Sequence, residues 1–466
     1  LHLYRRGDYA ERSGLFRRHR LLSRRWAAGE GVTFIFAHIK ALQRLWHKGL
    51  RQMRSNANVL DAVVVGAGWA GLGVSYSLTR QGLRHSILER GRIGETWRTQ
   101  RWNTFRMNTP NVQTVMPGDS YDGSDPFGAL TRNQFVALLE DFAERNGLPV
   151  EPDTAVTELT GVHENGAYRL TTSRGTFLAR NVVIASGDMN CPARPPWTAA
   201  LPPSLRQIDA SDYRSAADLP DGAVLVVGSG QSGAQIAEDL TETGRTVFLA
   251  TSRVGRLSRR YRGRDIMIWL VESGFLDVRR EEIIRLAGRV PPRGLLGAEY
   301  TLSLQGLSAR GIVLLGRFAG VEGGGCLLFD DDLEANVRFA DEASANVKRY
   351  IDEYISRSGI DAPLSEPDPA ETVAVHLPNP AVRSLDVAKS GITTVAWCTG
   401  FRGDFSWVNL PGVLDSQGQP IHEDGVAVQP GIYFAGLDFA STRKSGTILA
   451  IAEEAHRLVE HIVRHS

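Results

Sequence analysis

Gly66, Gly68 and Gly71 stand at G-x-G-x-x-G spacing, and Gly228, Gly230 and Gly233 repeat it further along the chain. Each residue type has a task in a turn that takes a diphosphate. The first glycine allows the tight turn, the second lets the anion approach the backbone, and the third lets helix and strand pack closely. Free N–H groups at the start of the following helix then face the phosphate oxygens. What comes after the two turns differs. The first leads to Glu89, a carboxylate that accepts from ribose hydroxyls, and the second to Thr251, Ser252 and Arg253. An acid holds a free 2′-hydroxyl and repels a 2′-phosphate, whereas hydroxyl plus arginine does the opposite. We therefore expect two dinucleotide sites of opposite ribose chemistry, FAD at Glu89 and NADPH at Ser252 and Arg253. Arg256, Arg259 and Arg260 are alternative phosphate contacts.

These residues need a strand–turn–helix–strand unit around each turn. Val63, Val64 and Val65 form a short β-branched run suited to a buried parallel strand. A helix is expected over 69–81, and Ile87 and Leu88 continue a second strand. The second unit reads as a strand over 223–227, a helix over 234–243 and a strand over 246–250. In its turn, Gln231 and Ser232 are expected at a pyrophosphate or nicotinamide, with helix capping as the plainer role. The fold class expected is α/β, with two Rossmann-like dinucleotide-binding domains of three-layer ββα type.

Other segments supply candidate contacts. After Glu89 and Arg90, the residues Gly94, Trp97, Arg98, Arg101 and Trp102 suggest a loop wrapping a flat aromatic cofactor, since aromatic faces and guanidinium groups cover rings and steady phosphates. The plainer reading puts the tryptophans in the core. A helix is expected over 130–147, with Thr131 as N-cap and Gly147 just past its end. Strands follow over 154–159, 167–172, 176–179 and 181–185, with turns at Asn165-Gly166 and Arg174-Gly175. Val156 in the first of them is taken as a cofactor contact. Small residues end three later strands, at Gly187, at Gly400 and at Gly436 before Asp438, as close approach to a cofactor requires. A helix over 446–463 closes the chain, its N-terminus aimed at the polar edge of a flavin.

The domain scheme is then a basic extension over 1–58, an FAD-binding domain from 59–187 and 386–466, and an NADPH-binding domain over 188–385. The last carries a helical insertion, with helices expected over 279–286 and 332–355 and short strands over 311–315 and 325–328. The insertion is expected to roof part of the active site.

Composition narrows the class. The chain of 466 residues has net charge +1 and is 42% hydrophobic, ordinary for a globular protein of two or three domains. The balance is uneven: residues 1–58 carry thirteen Lys and Arg against Asp8, Glu11 and Glu30, leaving a net of about −9 for the rest. A basic amphipathic segment around Arg17–Trp26 fits a membrane-surface anchor or a targeting segment. The reading adopted is an extension without stable order, or translated sequence upstream of the true start. No run is apolar for 18 residues, and Cys191, Cys326 and Cys398 form no CxxC. Neither a dithiol nor a metal site is expected, nor a nucleic-acid partner. A cytoplasmic monomer or homodimer is.

The paired turns, the Gly94–Trp97 and Arg101-Trp102 motifs and Trp397-Cys-Thr-Gly400 resemble the class B flavin monooxygenases. That family contains flavin-containing, N-hydroxylating and Baeyer–Villiger enzymes. Arg259-Arg-Tyr-Arg-Gly-Arg-Asp265 and Thr442-Arg-Lys-Ser-Gly-Thr447 are similar to a bacterial branch labelled flavoproteins involved in potassium or cation transport. The resemblance spans residues 59–466. It implies that NADPH reduces FAD, that reduced flavin binds O2, and that a C4a-peroxyflavin passes one oxygen to a nitrogen, sulfur or carbonyl centre of a small organic substrate. It also implies that Asn108 sits beside the reactive flavin, with a turn or ribose contact as its plainer role. Family members commonly carry an F-x-G-x-x-x-H signature before the second turn; here the segment is 207–213, with Asp209 in the histidine's place. That departure argues against the Baeyer–Villiger type. The alternatives are a flavin reductase or oxidase releasing hydrogen peroxide, and a non-catalytic nucleotide-sensing flavoprotein tied to cation transport.

Overall fold

The computed structural model describes residues 59–161, 166–323 and 325–465; the expectations for residues 1–58 lie outside these. In chain order, β1 (Val59–Val65), α1 (Trp69–Arg80) and β2 (His85–Leu88) build the first unit. Helix α2 (Arg132–Arg145) follows, then β3 (Val150–Glu151), β4 (Val156–Thr160), β5 (Tyr168–Thr172) and β6 (Gly175–Ile184). The second unit comprises β7 (Arg206–Asp209), β8 (Ala223–Val227), α3 (Gln231–Glu242), β9 (Val247–Ala250) and β10 (Val313–Leu315). Helix α4 (Leu333–Ser358) and β11 (Ile392–Trp397) complete it. The chain ends with β12 (His422–Glu423), β13 (Val426–Ala427), β14 (Ile432–Phe434) and α5 (Ile451–His465).

The first sheet runs β12-β13-β14-β6-β1-β2-β3, with β5 hydrogen-bonded to β6 and β4 to β5. β1 pairs in parallel with β2 (Val65 opposite Leu88), and β6 with β14. Alternation along β1 divides two cores. Val64 faces a helical layer of Leu72, Phe135 and Leu458, while Val63 and Val65 face Leu170, Val182 and Phe434. The second sheet runs β10-β9-β8-β11-β7 and is parallel throughout. Val224 and Val226 point to one of its cores, Leu225 and Val227 to the other. Strands buried on both faces read as unbroken apolar runs for this reason.

Several boundaries differ from the sequence expectation. The two strands expected over 176–185 form one, β6, which pairs with β5 over 175–179 and runs on to pair with β14 over 182–184. β11 lies between β8 and β7 in the second sheet, so the return to the first domain falls after Gly400 and not at 386. A short antiparallel ribbon pairing Phe401 with Pro192 and Arg402 with Cys191 joins the two crossing segments. The last helix starts at Ile451, since residues 446–450 form turns. Helix α2 matches its forecast closely: Thr131 accepts from the Gln134 N–H while the Gln134 side chain accepts from the Thr131 N–H, a capping box. Among the described residues no helix is long and apolar enough to cross a membrane.

Candidate functional site: two glycine turns and a cofactor cleft

The three glycines of the first turn have three distinct surroundings. Gly66 has φ +107°, and a Cβ there would lie 2.6 Å from the Ala185 carbonyl oxygen. At Gly71 a Cβ would meet the Gly66 oxygen at 1.9 Å, so helix and strand touch backbone to backbone. Gly68 has nothing within 4 Å of its Cβ position: its open side faces the cleft at the start of α1. Glu89 closes the arrangement. Its carboxylate, 7% exposed, accepts from the Ala67 N–H at 2.7 Å and the Gly91 N–H at 2.9 Å, which locks it beside the turn.

The cleft has a volume of about 330 Å³. Gly66, Gly68, Glu89 and Arg90 line it from the first unit, Gly94, Trp97 and Arg101 from the following loop, and Val156, Gly187 and Gly436 from the strand ends. Trp97 packs on Phe135 with centroids 4.5 Å apart, and the Arg101 guanidinium lies 4.7 Å over its ring. Burial lowers the Arg101 pKa to about 10. Six expected contacts do not line this cleft, among them Gly400 and Arg98, which is paired with Glu140. Trp102 is a core residue, edge-on to Phe105 at 5.1 Å, as the plainer reading had it. Gly71 packs inside. Asp438 donates its N–H to Asp188 and is ion-paired with Arg293. Asn108 receives a 2.8 Å hydrogen bond on its carbonyl from Arg259, while its side chain makes no hydrogen bond among the described residues.

Sequence reading missed the far wall: Asp188, Thr447, Ile451 and Glu454. Glu454 could have been found, because it is an acid inside the apolar stripe of α5, between Ile451, Ala455 and Leu458. It is 3% exposed, and burial lifts its pKa to about 7. Asp188 is raised by the same cause.

The second turn repeats the first. Gly228 has φ +106°, and a Cβ there would sit 2.4 Å from the Cys398 oxygen; a Cβ at Gly233 would meet the Gly228 oxygen at 1.8 Å; Gly230 is open. Beyond β9, Ser252 donates its N–H to the Ser229 hydroxyl at 3.0 Å, and Arg253 is exposed with no ion pair among the described residues. Arg256 and Arg259 are committed elsewhere. Arg256 is buried against Asp341 and Glu371, and Arg259 against Asp265. The Gln231 amide donates to the Leu296 carbonyl at 2.7 Å and accepts the Leu296 N–H at 3.0 Å. It ties the insertion to the start of α3. Ser232 follows it, half-buried, in the first turn of α3, and Gly400 accepts the Ala193 N–H at 2.9 Å in the inter-sheet crossing. Asp209, standing where the family signature has histidine, is held by Arg194, whose Nη2 lies 2.9 Å from the carboxylate.

Comparison with known proteins agrees with this arrangement. The family model described as pyridine nucleotide-disulphide oxidoreductase matches residues 63–271. The chain is 28% identical over 410 residues to an uncharacterized oxidoreductase CzcO-like of Geobacillus kaustophilus, covering 88% of this chain and 99% of that one. It is 29% identical over 195 residues to the indole-3-pyruvate monooxygenase YUCCA1 of Oryza sativa subsp. japonica, covering 41% of this chain and 48% of the relative. Among solved structures, the flavin-containing monooxygenase of Stenotrophomonas maltophilia superposes with a TM-score of 0.60 at 18% identity, covering 87% of this chain and 99% of that one, a likeness of fold. Two glycine turns of one design, the motifs around them and these relatives together make the chain similar to the flavin monooxygenases.

Proposed function

We propose that the chain is an FAD- and NADPH-dependent monooxygenase that transfers one oxygen atom from O2 to a nitrogen, sulfur or carbonyl centre of a small organic substrate. The observation that carries this reading is the contrast between two matched turns. Both offer an open glycine at a helix start, yet Glu89 follows one and Ser252 with free Arg253 the other. The residues present fit the two cofactors. The gap above Gly68 admits a diphosphate, and a Cβ there would fill it.

Bound FAD, reduced by NADPH, would supply the oxygen-activating chemistry. The chain's own residues bind, orient and shield. The α1 N-terminus receives the diphosphate, and the lone pairs of Glu89 not used by Ala67 and Gly91 accept from ribose hydroxyls. Trp97, backed by Phe135 and covered by Arg101, forms a rigid aromatic wall that keeps water from one side. Arg253 holds the 2′-phosphate of NADPH by charge-assisted hydrogen bonds.

Stopped-flow reoxidation of NADPH-reduced, FAD-loaded protein tests the reading. A delay before oxidised-flavin absorbance returns, with little peroxide formed when substrate is present, supports oxygen transfer. Immediate return with one peroxide per NADPH makes the chain an oxidase. Reduction no faster than that of free FAD removes both enzymatic readings and leaves nucleotide sensing.

A further inference from the structure

We infer that Glu454 takes up a proton when the cofactor diphosphate docks at the first glycine turn, which couples FAD binding to pH. The inference rests on the reading of the cleft as an FAD site. Glu454 lies in the first turn of α5 and lines the cleft, 3% exposed. Its one hydrogen bond among the described residues comes from the Gly436 N–H, 3.1 Å from a carboxyl oxygen. Gly436 in turn abuts the start of α1: a Cβ on it would lie 2.7 Å from the Cβ of Ala70. A buried carboxyl therefore stands one residue removed from the helix end where a diphosphate collects its N–H groups.

Among the described residues no cation is hydrogen-bonded to the Glu454 carboxyl, and the charge of Arg457, which lowers its pKa, does not offset its burial. On α5, Arg457 donates to the Asp424 carbonyl and the Ser441 hydroxyl, and Glu453 is paired with Lys444. On the facing segments, Asp188 adds a second carboxyl, Asp438 is bound to Arg293, and α1 brings only Arg80, at its far end. An ionised Glu454 would repel the incoming dianion inside a water-poor cleft, whereas the neutral acid donates its O–H.

The sign follows from linkage. In the free protein the group ionises near pH 7. A bound dianion raises that value further, so above pH 7 binding carries a proton in, and affinity falls as pH rises.

The test is FAD affinity of the deflavinated full chain between pH 6 and 9, with proton uptake read by calorimetry in buffers of different ionisation enthalpy. The wild type should show a constant Kd below about pH 7 and, above it, a rise approaching tenfold per pH unit with about one proton taken up. Glu454→Gln, close in shape and always neutral, should hold the low-pH Kd across the range, as should Glu454→Met if the amide variant folds poorly. Asp188→Asn should keep the slope. A flat wild-type profile, a slope that survives in Glu454→Gln, or a slope lost only in Asp188→Asn would overturn the inference while leaving FAD as the ligand. Absence of FAD binding at every pH would remove the cofactor reading itself.

Discussion

Glycines of one motif differ in what they can tolerate, because one faces an open cleft and its neighbours face backbone. A side chain at Gly68 enters open space, so Gly68→Val should fold with unchanged melting temperature and purify without flavin. At Gly71 a Cβ collides with the Gly66 carbonyl, and neither backbone can yield. Gly71→Ala should therefore lose more than the ~1–3 kcal/mol of ordinary overpacking, measured by urea denaturation. A colourless but stable Gly71→Ala would reverse that assignment. The same residue-scale contrast separates the arginines of the second site. Arg253 is free while Arg256 and Arg259 are buried in ion pairs. Arg253→Ala should raise KM for NADPH about 10- to 100-fold, the value of one or two charge-assisted hydrogen bonds, and leave KM for NADH nearly unchanged. Equal effects on both nucleotides would take Arg253 out of phosphate recognition.

Among the elements, the segment 259–265 links the insertion to the first domain. Arg259, 2% exposed, pairs with Asp265, 1% exposed, and its Nη1 donates to the carbonyls of Asn108 and Gly297 at 2.8 and 2.9 Å. Removing one member of such a pair strands the other. Arg259→Ala should cost about 3–5 kcal/mol, and Arg259→Met with Asp265→Leu should recover most of it. A single variant as stable as wild type would show that the pair contributes little. Legibility at this scale followed local interactions. Thr131 and Gln134 announce α2 because a capping box lies within four residues. The start of α5 was misplaced because the apolar residues 448–450 continue its periodicity while their turns are fixed by distant contacts, such as the Trp69 indole donating to the Ile448 carbonyl at 3.0 Å.

At the scale of the whole molecule, a mixed sheet and a parallel sheet share one chain that crosses between them twice, at Cys191–Pro192 and Phe401–Arg402. The sequence by itself determined both glycine turns, the strands before and after them and the contrast between Glu89 after one and Ser252 with Arg253 after the other. Each of these rests on residues within about thirty positions, where turn geometry and apolar periodicity leave a local imprint. The tertiary structure alone decided which sheet receives β11, since an apolar strand pairs equally well in either. It also decided that Trp102 is core, that Gln231 serves Leu296 and that Arg259 is spent on Asp265, because partners far along the chain leave no periodic signal. Glu454 belongs to both levels: its place in an apolar stripe was written in the sequence, and its position beside Gly436 and the start of α1 exists only once the two ends of the first domain meet.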